Sequence, residues 1–154
     1  MSIHLSITIS CPSGRVAQVR RSINSLFYQS FDFNSVELLF LNDGGEPELY
    51  NILKSYSGKF TIRYFHLAHK SNDVVSSSGR RNFLIRQAKG EYILLADPEI
   101  VHCSQTISQT MNSFFKFGDK IWYCGRVYGT KSFSDNKGNF TNLITKTVQK
   151  EEFC

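Results

Sequence analysis

Asp97 and Glu99 stand two positions apart on either side of Pro98, where the apolar run of "GEYILLADPEIV" ends. Pro98 biases Asp97 toward an extended backbone. In such a backbone both carboxylates project to one side, with the chain atoms that carry them roughly 6 to 7 Å apart, close enough to share a hydrated cation. Two neighbouring carboxylates also resist joint ionisation unless a counter-charge is present. Mg²⁺ or Mn²⁺, held by one or two carboxylates and completed by substrate phosphates, would supply that charge. A solvated acidic loop, or an acidic pair at a helix start, accounts for the same spacing.

Other residues carry weaker signals. Asp43 closes the apolar run "VELLFLNDGG" and is followed by two glycines, which permit a sharp turn and close approach of a ligand to the backbone. Its carboxylate could accept from a base N–H or a ribose hydroxyl, or simply form an Asx turn. "SSSGRRNFLIRQAKGEY" puts Arg80, Arg81 and Asn82 at the start of a helix, where amides and guanidinium groups reach anions. His66 and His69 form an HxxH without a further matching ligand and read as surface histidines, and His102 follows the acidic pair and could approach a metal there. Phe114, Phe115, Phe117, Trp122 and Tyr123 follow helix and strand periodicity and read as core. Cys11, Cys103, Cys124 and Cys154 show no metal-ligand spacing and no basic neighbour that would make a nucleophile, which fits reduced thiols and a cytoplasmic location.

These residues must be positioned by the elements around them. "IHLSITIS" alternates apolar and polar residues and reads as a strand over Ile3 to Ile9, ending at Pro12 and Gly14. "RVAQVRRSINSLFYQS" spaces Val16, Val19, Ile23, Leu26 and Phe27 as one helical stripe, with Ser13 as its cap. Val36 to Leu41 is apolar enough to be a parallel strand covered on both faces. A helix around Glu46 to Tyr56, a strand around Phe60 to Phe65, a helix around Gly79 to Ala88 and the "GEYILLA" strand follow. The alternation predicts an α/β sandwich with a mostly parallel sheet and right-handed crossovers. Beyond it, "SQTISQTMNSFFKF" reads as a helix with Ile107, Met111, Phe114 and Phe115 on one side, "KIWYCGRVYG" as a strand, and Asp135 to Asn139 as a loop or hairpin tip.

In such a sheet ligands bind outside the carboxyl ends of the strands. "SCPSGR", "NDGG" and "ADPEIV" each follow one of those ends, so they should gather at one edge. The chain lacks the GxGxxG of dinucleotide-binding folds and the GxxxxGK of a P-loop. With 154 residues and 41% hydrophobic content it can bury one core, and it has no apolar run long enough to span a membrane and no room for a signal peptide before its first strand. The net charge of +5 suits phosphate-bearing ligands or peripheral contact with an acidic membrane surface, whereas no nucleic-acid-binding motif accompanies it.

From Ser6 to about Val101 the chain resembles the nucleotide-binding half of family 2 glycosyltransferases, which have the GT-A fold. The resemblance is carried by "SITISCPSGR", "SINSLFYQS", "VELLFLNDGG" and above all "RNFLIRQAKGEYILLADPEI", which matches in register an Arg-Asn pair, an alanine, Gly-Glu-Tyr and a DxD-like motif. Glu99 stands where the family more often has aspartate, and Leu84 where it frequently has glycine.

The resemblance implies a Rossmann-like GT-A sandwich and a glycosyltransferase, or its donor-binding portion, that uses a nucleotide-sugar, commonly a UDP-sugar, with Mn²⁺ or Mg²⁺. Asp43 would contact the uracil, Arg81 the base or phosphate side, Asp97 the ribose or metal, and Glu99 the metal, with Ser10 and Pro12 bordering the nucleotide. The acceptor would be a glycan, lipid or protein. Residues 1–154 would form one domain, with 1–103 binding the nucleotide-sugar and 104–154 an incomplete acceptor side. The acids after Glu99 are Asp119, Asp135, Glu151 and Glu152, and none lies in a sequence like the family's catalytic-base motif. The base is therefore unassigned, and the expectation is either a truncated donor half or a small member that needs a partner. The alternative is a non-catalytic nucleotide-sugar-binding or interaction module.

Overall fold

Four parallel strands form the sheet of the protein, in the order β3-β2-β1-β4, in a computed structural model that describes residues 3–44, 46–59, 61–67, 76–117 and the strands 129–133 and 140–144. The strands are β1 (Leu5–Pro12), β2 (Val36–Asp43), β3 (Thr61–His66) and β4 (Tyr92–Ala96), separated by helices α1 (Val16–Phe27), α2 (Pro47–Lys54) and α3 (Ser77–Gln87). Helix α4 (Thr106–Phe117) and an antiparallel pair, β5 (Gly129–Phe133) with β6 (Phe140–Ile144), follow. The expected α/β alternation and parallel sheet are present. "KIWYCGRVYG" lies outside the described residues except for Gly129, which opens β5, and so does the Asp135 to Asn139 turn between β5 and β6.

The two faces of the sheet differ in character. Leu5, Ile7, Ile9 and Cys11 of β1 share a core with Val36, Leu38 and Phe40 of β2, with Val19, Ile23 and Leu26 of α1, and with residues of α2 and α4. The opposite face is smaller, with Leu39, Leu41 and Leu84 packed under Phe65, Leu67 and Phe83. The period-2 alternation of β1 thus turns its small polar residues, Ser6 and Thr8, toward the α3 side. All eight residues of β2 are buried, and its near-continuous apolar run suits a central parallel strand.

One polar residue inside that run has its own network. Glu37, 1% exposed, accepts from Ser6 Oγ at 2.7 Å and from the Lys89 backbone N–H at 2.7 Å, and pairs with Arg63 Nη1 at 3.3 Å. The Gly90 N–H donates to Ser6 Oγ at 2.8 Å. A Cβ at Gly90 would lie 2.5 Å from the Ser6 backbone nitrogen, so the chain can approach β1 here only without a side chain. The Gly-Glu-Tyr stretch is in this sense a docking point that sets the register of β4 on β1.

Several boundaries shift from the sequence expectations. β1 continues past Ile9 to Pro12, because β2 pairs with it as far as Pro12↔Asp43, whereas β4 stops at Ile9↔Ala96. Pro12 costs little at this position, where only one neighbouring strand remains. Ser13 does not cap α1: the N-cap is Arg15, with no side-chain cap bond. Gly14, at φ +80, turns the chain between them. Ser13 instead abuts the turn after β2, where a Cβ on Gly44 would come within 2.6 Å of it. Helix α3 starts earlier than Gly79 because Ser76 caps it, accepting from the Gly79 N–H at 3.0 Å.

In α4, Ile107 and Met111 are buried, and Phe114 stacks on Tyr92 with ring centroids 4.3 Å apart. Phe115 and Phe117 are not core residues, being 69% and 56% exposed. At about 100° per residue each lies roughly 80° to one side of Ile107, on the flanks of the buried stripe. Trp122 and Tyr123 lie outside the described residues. Among the described residues no helix is long and apolar enough to cross a membrane.

Candidate functional site

Because the four strands run parallel, Pro12, Asp43, His66 and Ala96 all end at one edge, and the polar turns that follow collect there. Ser10 pairs in register with Leu41 and Pro12 with Asp43, so the end of β1 borders the end of β2. The turns after these strands are tied together as well. The Gly14 N–H donates to Glu46 Oε1 at 2.9 Å, and Asn42 Nδ2 donates to the Glu46 carbonyl at 3.0 Å and to the Tyr64 hydroxyl at 2.8 Å. Glu46, at the N-cap of α2, thus fastens the "CPSG" turn to the "NDGG" turn.

Two adjacent arginines on α3 reach different acids. Arg80 Nη1 is 2.5 Å from Asp43 Oδ2, with side chains 14% and 3% exposed. Arg81 Nη2 is 2.7 Å from Asp97 Oδ1, and there the side chains are 44% and 51% exposed. A third pair joins Arg15 Nη1 to Glu99 Oε2 at 2.7 Å, also about half exposed. Asp43, Arg81, Asp97 and Glu99 are therefore gathered at one edge, with Arg80, which the sequence placed at a helix start able to reach anions, meeting Asp43, and with Arg15 as a partner that the sequence did not assign. The only signal for Arg15 was position, since it directly follows the first glycine turn.

The acidic stretch is not extended. The Ile100 N–H donates to the Asp97 carbonyl at 3.2 Å, closing a turn with Pro98 as its second residue and with Pro98 buried. Proline's fixed φ suits that position. Each carboxylate is drawn to its own arginine on a different element, and both remain at the surface as hard oxygen donors. Among the described residues no three His, Cys, Asp or Glu side chains converge as a complete metal cage. His66 is exposed at the end of β3, and His69 lies outside the described residues.

His102 is buried rather than presented at the surface beside the acids. It is 6% exposed and packs against α1, its backbone N–H donating to Ser25 Oγ at 2.9 Å, and burial pushes its imidazole down to about 4. Gln29 pins the same segment, donating to the Ser25 and Cys103 carbonyls and accepting from the Ile107 N–H at 3.1 Å. The glutamine of "SINSLFYQS" is thereby explained as a clasp for the chain after β4.

A buried neutral histidine makes stability depend on pH. Its folded pKa lies below the ordinary 6.5, so its contribution is complete above that value and is lost as pH falls toward 4. The unfolding free energy should drop by on the order of 3 kcal/mol across this window from His102 alone. Denaturant titrations of the wild type and His102→Asn should diverge between pH 7 and 4, and parallel curves would show that the imidazole charges without cost. Burial likewise pushes the Cys11 thiol up to about 11, which removes it as a nucleophile.

Residues 13–152 match the family described as Glycosyl transferase family 2. The minor teichoic acid biosynthesis protein GgaB of Bacillus subtilis is 29% identical over 100 residues, covering 65% of this chain and 11% of that protein. An uncharacterised glycosyltransferase of Rickettsia felis is 29% identical over 128 residues, covering 82% of this chain and 19% of its own length. Among solved structures, S. aureus TarS 1-349 in complex with UDP-GlcNAc superposes with a TM-score of 0.64 at 19% identity, over 74% of this chain and 32% of that one. The mannosyltransferase PcManGT of Pyrobaculum calidifontis, in complex with GDP-Man and Mn²⁺, superposes with a TM-score of 0.62 at 8% identity, over 78% and 34%. The chain thus spans less than a fifth of these curated relatives and about a third of these solved ones.

Proposed function

We propose, from the premise that the chain belongs to glycosyl transferase family 2 and has its Rossmann-like GT-A fold, that it binds a nucleotide-sugar donor across the carboxyl edge of its sheet. The donor class is a UDP-sugar, and the activity is transfer of the sugar to an acceptor hydroxyl on a glycan, lipid or protein. The observation that supports this most is the gathering of Asp43, Arg81, Asp97 and Glu99 at that edge, on a chain whose family match runs through all of them.

In this reading Asp43 and Arg81 face the base and phosphate side, and Ser10 and Pro12 border the nucleotide. Asp97 and Glu99 suit a divalent cation in donor chemistry, since both are surface carboxylates on one turn and further ligands would come from water and the diphosphate. When bound, Mn²⁺ or Mg²⁺ supplies Lewis-acid stabilisation of the charge on the departing nucleoside diphosphate. The chain's own arginines add fixed positive charge at the same place. Residues 1–103 serve the donor and 104–154 the acceptor side. An acceptor hydroxyl needs a general base to attack the anomeric carbon, and no residue is assigned to that role. A second reading is a donor-binding module without transfer.

Thermal shift with UDP-, GDP- and CDP-sugars, each with and without Mn²⁺, tests the donor assignment. A UDP-sugar with Mn²⁺ at about 100 times its dissociation constant should raise Tm by roughly 5 to 10 °C. A flat response across the panel would sink both readings, and binding without release of UDP on addition of acceptor extracts would favour the second.

A further inference from the structure

The edge carries cations as well as acids, and they neutralise one another. Arg15 stands at the N-cap of α1, on one face of the sheet, and Arg81 lies on α3, on the other. The two guanidinium groups therefore close from opposite faces onto acids that share one turn, each at 2.7 Å. All four side chains are roughly half exposed, at 41% to 51%. Ion pairs of that exposure contribute little and exchange readily for a better ligand.

Charge decides which ligands can make the exchange. The four groups sum to zero. A divalent cation alone would leave the cluster at about +2, and a sugar nucleotide's diphosphate alone at about −2. The two together restore neutrality. The planar guanidinium fork also matches phosphate oxygens as well as it matches a carboxylate.

We infer that Arg15 and Arg81 are diphosphate-binding residues held in place by the motif acids: as donor and cation arrive together, Asp97 and Glu99 pass from arginine to cation, and the arginines pass from carboxylate to diphosphate. The inference rests on the reading of this edge as the donor site and adds Arg15 to it. Cation and diphosphate then bind cooperatively, each raising the affinity of the other by the same factor.

Isothermal titration of the wild type and Arg15→Gln with Mn²⁺ alone, with inorganic pyrophosphate plus Mn²⁺, and with UDP plus Mn²⁺ tests the exchange. Arg15→Gln frees Glu99, so it should bind Mn²⁺ alone roughly fivefold tighter. It also loses one phosphate fork, so it should bind Mn²⁺-pyrophosphate and Mn²⁺-UDP roughly tenfold more weakly. The opposite signs are the signature, because damage to the fold would weaken all three. Changes of the same sign, or no change, overturn the exchange. Opposite signs with UDP binding no tighter than pyrophosphate keep the exchange and overturn the nucleotide reading alone.

Discussion

Asp97→Asn is expected to weaken Mn²⁺-dependent UDP binding by roughly 100-fold, since loss even of outer partners of a bound metal typically costs 10- to 100-fold. The amide matches the carboxylate in shape but cannot present an ionised oxygen to a hard cation. The same change should leave Tm within about 2 °C of the wild type, because the pair it breaks with Arg81 is about half exposed and such pairs are worth about 0 to 1 kcal/mol. Titration calorimetry and a thermal melt on one preparation measure both. Retained Mn²⁺-dependent binding would remove Asp97 from the site, and a collapse in Tm would make it a structural residue.

Arg80→Ala should do the reverse and act on the fold. Arg80 meets an Asp43 side chain that is only 3% exposed, and removing Arg80 takes a charged hydrogen bond from a buried carboxylate. Hydrogen bonds to charged groups are worth about 1.5 to 3 kcal/mol, so Tm should fall by roughly 5 °C for a chain of this size. Asp43→Asn in the Arg80→Ala background should cost less than the two single changes added together, which a double-mutant cycle would show as coupling. A loss below about 1 kcal/mol would mean that water reaches the pair and that it belongs with the exposed ones.

The contrast between these neighbours shows what pattern reading can and cannot reach. Arg80 and Arg81 are one residue apart, and a helix turns about 100° between them. One guanidinium therefore enters the space at the end of β2 while the other reaches over the end of β4. The motif register pointed to Arg81 for the nucleotide side, but no spacing rule says which acid an arginine will meet across 37 or 16 residues of chain.

The acidic stretch was misjudged for a related reason. Proline disfavours helix before it and also suits the second position of a turn, so "ADPEI" is compatible with both backbones. The burial of Pro98 and the hydrogen bond from Ile100 to Asp97 select the turn. The placement of His102 was likewise decided at a distance, by Ser25 on α1 and by Gln29 just beyond its end, which holds Cys103, more than seventy residues earlier in the chain. Proximity to the acids in sequence counted for nothing once the chain after β4 was drawn onto α1.

Local composition by itself determined the order of strands and helices, because periods of 2 and 3.6 residues are properties of the backbone and the near-continuous apolar run of Val36 to Leu41 suits a doubly covered strand. It also determined that three polar turns would share an edge, since parallel strands all end on the same side. Tertiary structure alone decided the partners: Glu37 with Ser6, Lys89 and Arg63, Gly90 against β1, Asp43 with Arg80, and the two exposed acids with arginines from opposite faces of the sheet. Ion pairs and close backbone approaches are set by where separate segments cross, and burial at the crossing, far more than residue type, sets how firmly each pair is held.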